Sequence, residues 1–311
     1  MSHNLFLGMY SFRIKKQFTK NIKAINNNEF LSHAYPDEDY KFEKGFVQDV
    51  ISLIDNKTYK NDKNTHGAIL ESKEFDSKKR TIDLIIDGGI TGIKQYIIDE
   101  SGEKEELSDK KTVGLKFYAR IWLPANSNSG YLFIQKYGTL SIKPIFDSII
   151  KKVLKKNDCS LVNRKLIATT TKKRQEYFMK YSSIKDVIVI SKKSILDTNS
   201  VQASQAMIRL KNIKFVSDNK IDKEDINKAL KRHGFKILGR NYEMKATYEN
   251  KVNDYKEQKT VILDDSEETI NLIPSIVVPN RCIDKDNYPI FKRMQELVDS
   301  EMLQIKKEAK L

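Results

Sequence analysis

The chain is poor in the residues that carry most recognisable chemistry. Its 311 residues include two cysteines, four histidines, one tryptophan and six prolines. Cys159 and Cys282 lie far apart, which excludes a disulfide framework and a cysteine-only zinc site; two lone thiols suit a reducing cytoplasm. His3, His33, His66 and His233 are scattered, with no pair at metal-ligand spacing, so neither a metal nor a cofactor is expected. No apolar run approaches the roughly 18 residues that a membrane span needs, so no membrane is expected as a partner. "MSHNLFLGMYSFRIKKQF" has no basic region ahead of its apolar stretch and no small-residue cleavage site after it, and reads as a strand, not a signal peptide.

Phosphate-loop motifs are also missing. "IIDGGITG" places Gly88 and Gly89 after a strand, but the next segment reads as another strand, whereas a phosphate loop has to open a helix. The two glycines are therefore expected in a turn. No His or Cys stands in a context that supports a nucleophilic dyad or triad.

Charge is what the chain does have. The net charge is +14. The first 150 residues are nearly balanced, whereas residues 151–200 hold 13 basic against 4 acidic residues and 201–250 hold 11 against 6. A localised excess makes a field that attracts polyanions; a uniform lysine-rich composition would only solvate the surface.

Hydrophobic periodicity outlines the fold. Phe6, Tyr10, Phe12 and Ile14 share a parity and predict a strand, and the Asn-rich segment after them predicts a loop or a broken helix. "KGFVQDVISLID" predicts a helix. "GAILESKEF" and "RTIDLIID" flank the turn "DSKK" as a hairpin, and "GITGIKQYIIDE" and "VGLKFYARIWLP" flank a longer one. Ile142, Ile145, Phe146, Ile149, Ile150, Val153 and Leu154 form one helical stripe, with Ser141 as the expected N-cap. Lys155 and Lys156 at its far end suit the helix dipole. Beyond "NDCS", strands and helices alternate, including an expected helix over 220–234. Phe291, Met294, Leu297, Val298, Met302 and Ile305 stripe a final helix. The expected fold is α+β: a mostly antiparallel sheet with a packed helix over residues 1–157, then a second, basic α/β lobe over 158–311 that ends in the C-terminal helix.

Three features bear on function. In "VGLKFYARIWLP" the odd positions are apolar, and the even ones include Lys116, Tyr118, Arg120 and Trp122. Cations for phosphates and rings for bases, on alternate residues of one strand, is how nucleic-acid binders use a sheet face. The alternative is an outer strand face packed under a neighbouring element. "KFYARI" shares Lys, an aromatic and Ala with the RNP1 motif of RNA-recognition modules, but lacks the Gly after the Lys and has Arg120 at an aromatic position, so that fold is not expected.

The second feature is the cation series Arg164, Lys165, Lys172, Lys173, Arg174, Lys192 and Lys193, with Tyr177, Phe178 and Tyr181 interleaved; those rings also fit a core stripe. The third is Lys236 and Arg240, which a helix C-terminus explains poorly.

The expected function is non-catalytic binding of a nucleic acid, DNA or RNA, mainly through its phosphates. Two alternatives stand beside it. One is a protein-interaction subunit, because Trp, Tyr and Arg are also enriched at protein hot spots. The other is a Mg²⁺-dependent nuclease using Glu71, Asp83 and Asp87, with Lys136 nearby. The PD-(D/E)xK pattern wants an acid two residues before that lysine, and residue 134 is Ile. Lys-, Asn- and Ile-rich chains without a catalytic motif are often accessory proteins, for instance in defence against phage, an expectation of general style that no residue carries.

Overall fold

A computed structural model describes residues 5–17, 23–181, 183–191, 207–211, 242–252, 255–263 and 273–311. The protein is α+β, and its contacts divide it into two units: residues 1–169 with 275–311, and residues 170–274.

The first unit is built on a large antiparallel sheet. Its strands are β1 (Leu5–Phe12), β3 (Tyr59–Lys60), β4 (His66–Asp76), β5 (Thr81–Ile90), β8 (Val113–Trp122), β9 (Gly130–Tyr137), β11 (Ile167–Ala168) and β16 (Ile276–Val277). The order is β11-β1-β9-β8-β5-β4-β3, and β16 shares the β1 edge with β11. Short pairs lie outside it: β2 (Ile14–Lys16) with β10 (Cys159–Leu161), and β6 (Gln95–Ile98) with β7 (Lys104–Leu107).

The stretches 159–161 and 167–168, beyond the boundary expected at 157, thus pair inside the first unit. The chain leaves that unit beside Met9, whose carbonyl accepts from Thr169 N–H, and rejoins it where Ile276 pairs with Leu7. Exit and return both lie beside β1, so the 105 residues between them are an insertion in the chain of the first unit.

Both faces of the sheet are covered. On one lie α1 (Asn27–Ala34), a π-helix (Lys41–Val47), α2 (Gln48–Ile54) and α3 (Lys143–Lys156), which meet Ile82, Leu84, Ile86, Phe117, Ala119, Ile121, Leu132 and Ile134. The α3 stripe from Ile142 to Leu154 is buried throughout, as its spacing predicts. Ile142 is the N-cap, but Ser141 Oγ still accepts from Lys143 N–H at 3.1 Å and so satisfies a first-turn donor. The Asn-rich segment forms α1: Asn26 caps it, and buried Asn27 Nδ2 donates to the carbonyls of Pro124 and Ser129 at 2.9 and 3.0 Å.

On the other face the C-terminal helix α5 (Phe291–Ala309) buries Met294, Val298, Met302 and Ile305 in a core with Leu5, Leu7, Met9, Ile85 and Phe133. Gly88 and Gly89 are inside β5 and make no turn. A Cβ on Gly89 would come within 2.0 Å of the Val113 carbonyl oxygen, and Gly89 pairs with Gly114, so the glycines let two strand backbones approach closely. Ladder pairing of β5 with β8 therefore runs on to Ile90 and Val113, and the chain between them forms the separate β6–β7 hairpin.

The second unit contains α4 (Lys172–Tyr181) and an antiparallel sheet of β12 (Ser183–Ser191), β13 (Met207–Lys211), β14 (Tyr242–Val252) and β15 (Tyr255–Leu263), in the order β13-β12-β14-β15. Phe178 of α4 and Tyr248 of β14 are buried. The helix expected over 220–234 lies outside the described residues. Among the described residues, no helix is long and apolar enough to cross a membrane.

Candidate functional site

The even face of β8 is a packed interior from Tyr118 onward. Tyr118, Arg120 and Trp122 are 0, 2 and 0 % exposed. This corrects the expectation of a contact strip: α5 lies on that face. The Tyr118 ring meets Phe291 edge-on at 6.1 Å, the Trp122 ring stacks on Tyr131 at 5.0 Å, and Lys306 Nζ sits 5.6 Å over the indole.

A charge network fills the centre. Asp83 lies opposite Arg120 in the β5–β8 ladder, and the guanidinium donates to both carboxylate oxygens, Nε to Oδ1 at 2.6 Å and Nη2 to Oδ2 at 3.0 Å. Tyr118 OH also donates to Asp83 Oδ1, and Gln295 Nε2 to Oδ2 at 3.2 Å. Arg120 Nη1 reaches Asp299 of α5, which Lys79 Nζ meets at 2.8 Å from the β4–β5 turn. Burial opposes the guanidinium charge, but the oxygens of Tyr118, Asp83 and Asp299 outweigh it and hold its pKa above the ordinary arginine value. Burial, then the charge of Asp83, pushes the Tyr118 hydroxyl well up. Asp299 is held below the usual carboxylate range: burial raises it, and hydrogen bonds from Lys79 and Arg120 outweigh that. The network pins α5 to the sheet.

The nuclease carboxylates do not converge. Asp83 is saturated by Arg120, Tyr118 and Gln295. Asp87 is four residues further along β5, about 13 Å at strand rise, too far to share an ion with it. Glu71, the extra residue of a bulge in β4, pairs with Lys116, whose Nζ is also 3.9 Å from Asp87. Lys136 stands in β9 opposite Phe6, two strands away from β5. Among the described residues, no group of three or more His, Cys, Asp or Glu side chains could hold a metal ion.

The remaining cations separate. Lys116, at the far end of β8, is engaged with Glu71. Arg164 and Lys165 are exposed in the turn between β10 and β11, where Arg164 has φ +56°. Lys172, Lys173 and Arg174 form the first turn of α4; Thr171 Oγ1 accepts from Arg174 N–H at 3.3 Å, and both Lys172 and Lys173 are exposed. On the same helix Phe178 is buried and Tyr177 is 60 % exposed, so the interleaved aromatics divide between core and surface. The side chain of Tyr181, and Lys192, Lys193, Lys236 and Arg240 entirely, lie outside the described residues.

Two signals in the sequence pointed to the buried network. Asp83 is an acid flanked by apolar residues near the start of a strand, and α5 carries an apolar stripe that needs a sheet face to cover. What was missed is that α3 claims only one of the two faces. No protein-family model, no curated protein and no solved structure matches this chain.

Proposed function

We propose that the protein binds a nucleic acid through its phosphates, using exposed cations at the start of α4. The observation that carries this reading is the first turn of α4. It holds Lys172, Lys173 and Arg174 and no acid. A helix N-terminus carries partial positive charge, so each cation there works against local stability by about 0.3–1 kcal/mol. The helix dipole favours the lysines at the end of α3 and disfavours these. An N-terminus whose cations add to its dipole is suited to a phosphate.

The basic excess of residues 151–250 supports the same reading. With Tyr118 and Trp122 buried, base stacking on β8 drops out, and binding through charge alone carries weak sequence preference.

The test is fluorescence anisotropy of labelled DNA and RNA oligonucleotides across a salt series. Two phosphate contacts, from Lys172 and Lys173, would lower affinity by about tenfold between about 50 and 200 mM salt. A flat salt response overturns the reading.

A further inference from the structure

Between Ile90 and Val113 the chain leaves the main sheet as an arm whose two strands, β6 and β7, pair with each other and, among the described residues, with no other strand. Its root is built firmly. Buried Thr91 donates from Oγ1 to the carbonyls of Asp109 and Lys111 at 3.3 and 3.1 Å. Gly92 adopts φ +80° and donates its N–H to Asp109 O at 2.9 Å; a Cβ there would come within 2.1 Å of Asn64 O. The tip is closed by Asp99 Oδ1, which accepts from Ser101 N–H, Ser101 Oγ and Glu103 N–H at 2.9, 2.6 and 2.9 Å. Yet Tyr96, Ile97 and Ile98 are 57, 52 and 60 % exposed. A shaped arm that leaves three consecutive large apolar residues in water is an edge awaiting a strand.

The two edges of the arm differ. β7 reads Lys-Glu-Glu-Leu, and β6 reads Gln-Tyr-Ile-Ile. Asp99 N–H donates to Glu103 O at 3.2 Å, in the same register as the pair Gln95–Leu107. Antiparallel ladders alternate, so Gln95, Ile97 and Asp99 turn their backbone groups towards β7, while Tyr96 and Ile98 turn theirs to the open edge.

We infer that β6 is a self-pairing edge: two copies of this chain join antiparallel about a two-fold axis through Ile97. In that register Tyr96 of one copy faces Ile98 of the other, and each such pair exchanges both backbone hydrogen bonds, which is what the outward-facing groups of these two residues require. The next pairs match as well. Gln95 faces Asp99, and beyond the ladder Lys94, whose Nζ is 2.8 Å from Glu106 of its own arm, is brought towards Glu100 in the turn of the other copy. The same operation on β7 runs through Glu105: it sets Glu105 against Glu105 on the axis, with Lys104 against Glu106 on either side, and brings together no large apolar residue. A second copy is the occupant because the arm supplies both halves of the match. With a four-residue edge the association is weak and concentration-dependent.

Sedimentation velocity of the full-length protein over a concentration series tests this. The wild type is expected to shift from monomer towards dimer. Ile98→Pro removes an N–H that faces the open edge, so the hairpin keeps its own ladder, checked by circular dichroism, while the dimer is lost. Glu100→Lys sets two lysines together and weakens association by about threefold to tenfold, an effect that high salt removes. A wild type that stays monomeric at every concentration overturns the inference. So does a dimer that Ile98→Pro and Glu100→Lys leave unchanged, which would place the interface elsewhere. Both variants keep the cations of α4, so this outcome is independent of nucleic-acid affinity.

Discussion

Replacing Arg120 with Met tests directly whether the β8 face is interior. The guanidinium and the Asp83 carboxylate are 2 and 4 % exposed and share two hydrogen bonds. Arg120→Met leaves Asp83 with Tyr118 and Gln295 as partners and no compensating charge. Breaking a buried pair from one side costs about 3–5 kcal/mol, a two- to four-decade fall in the folded-to-unfolded ratio at about 1.4 kcal/mol per decade. Removing the pair from both sides has a different outcome. Asp83→Leu with Arg120→Met orphans the Tyr118 hydroxyl, so Tyr118→Phe is added; the triple variant replaces ions by apolar groups and is expected within about 2 kcal/mol of wild type. Urea unfolding followed by Trp122 emission reads both, because this is the sole tryptophan and lies on the same face. If Arg120→Met stays within about 0.5 kcal/mol of wild type, the guanidinium is solvated and α5 does not seal this face.

Trp122 emission in the native protein should be shielded from acrylamide and unchanged by nucleic acid; a quenched, ligand-sensitive signal would restore the β8 strip as a contact surface. Asp299 has a folded pKa below its unfolded value, so its contribution is present above about pH 4 and is lost as pH falls through the folded value. Acid unfolding of Asp299→Asn, followed at Trp122, should therefore show a shallower loss of stability at the acid end, and an unaltered profile would dismiss this ion pair as a source of pH dependence. Gly89→Ala drives a methyl into the Val113 carbonyl oxygen and should cost more than about 2 kcal/mol in urea unfolding; a neutral result would show that the strands can part there. Lys172→Glu with Lys173→Glu should weaken binding of DNA and RNA alike while the circular dichroism stays that of the wild type; unchanged affinity would remove α4 from the interface.

The α+β class, the α3 stripe and the α5 stripe were legible because period and composition fix which residues must be hidden. The residues from 113 to 124 were legible as a strand for the same reason. Their second face was not, because exposure depends on a helix nearly 200 residues away in sequence, and a strand cannot announce what covers it. Arg120 looks basic in isolation; only the β5–β8 register reveals Asp83 opposite it. Gly88 and Gly89 misled in a similar way. Glycine fits both a turn and a close strand pair, and the choice falls to Gly114 on the neighbouring strand. The arm is hidden behind them, since the periodicity puts β6 in a longer hairpin with the next main strand and leaves β7 in the polar loop between. The α4 cations were visible as a run, but the reason to single them out, their place at the start of a helix and not its end, came from the helix boundary at Lys172.

The most direct test of the central claim compares wild type with Lys172→Glu/Lys173→Glu in the salt dependence of nucleic-acid binding. The proposal predicts that the slope of log affinity against log salt is less steep in the variant by about two contacts' worth, roughly 1.8 for duplex DNA, with affinity falling for all sequences alike. Identical slopes for the two proteins would contradict it.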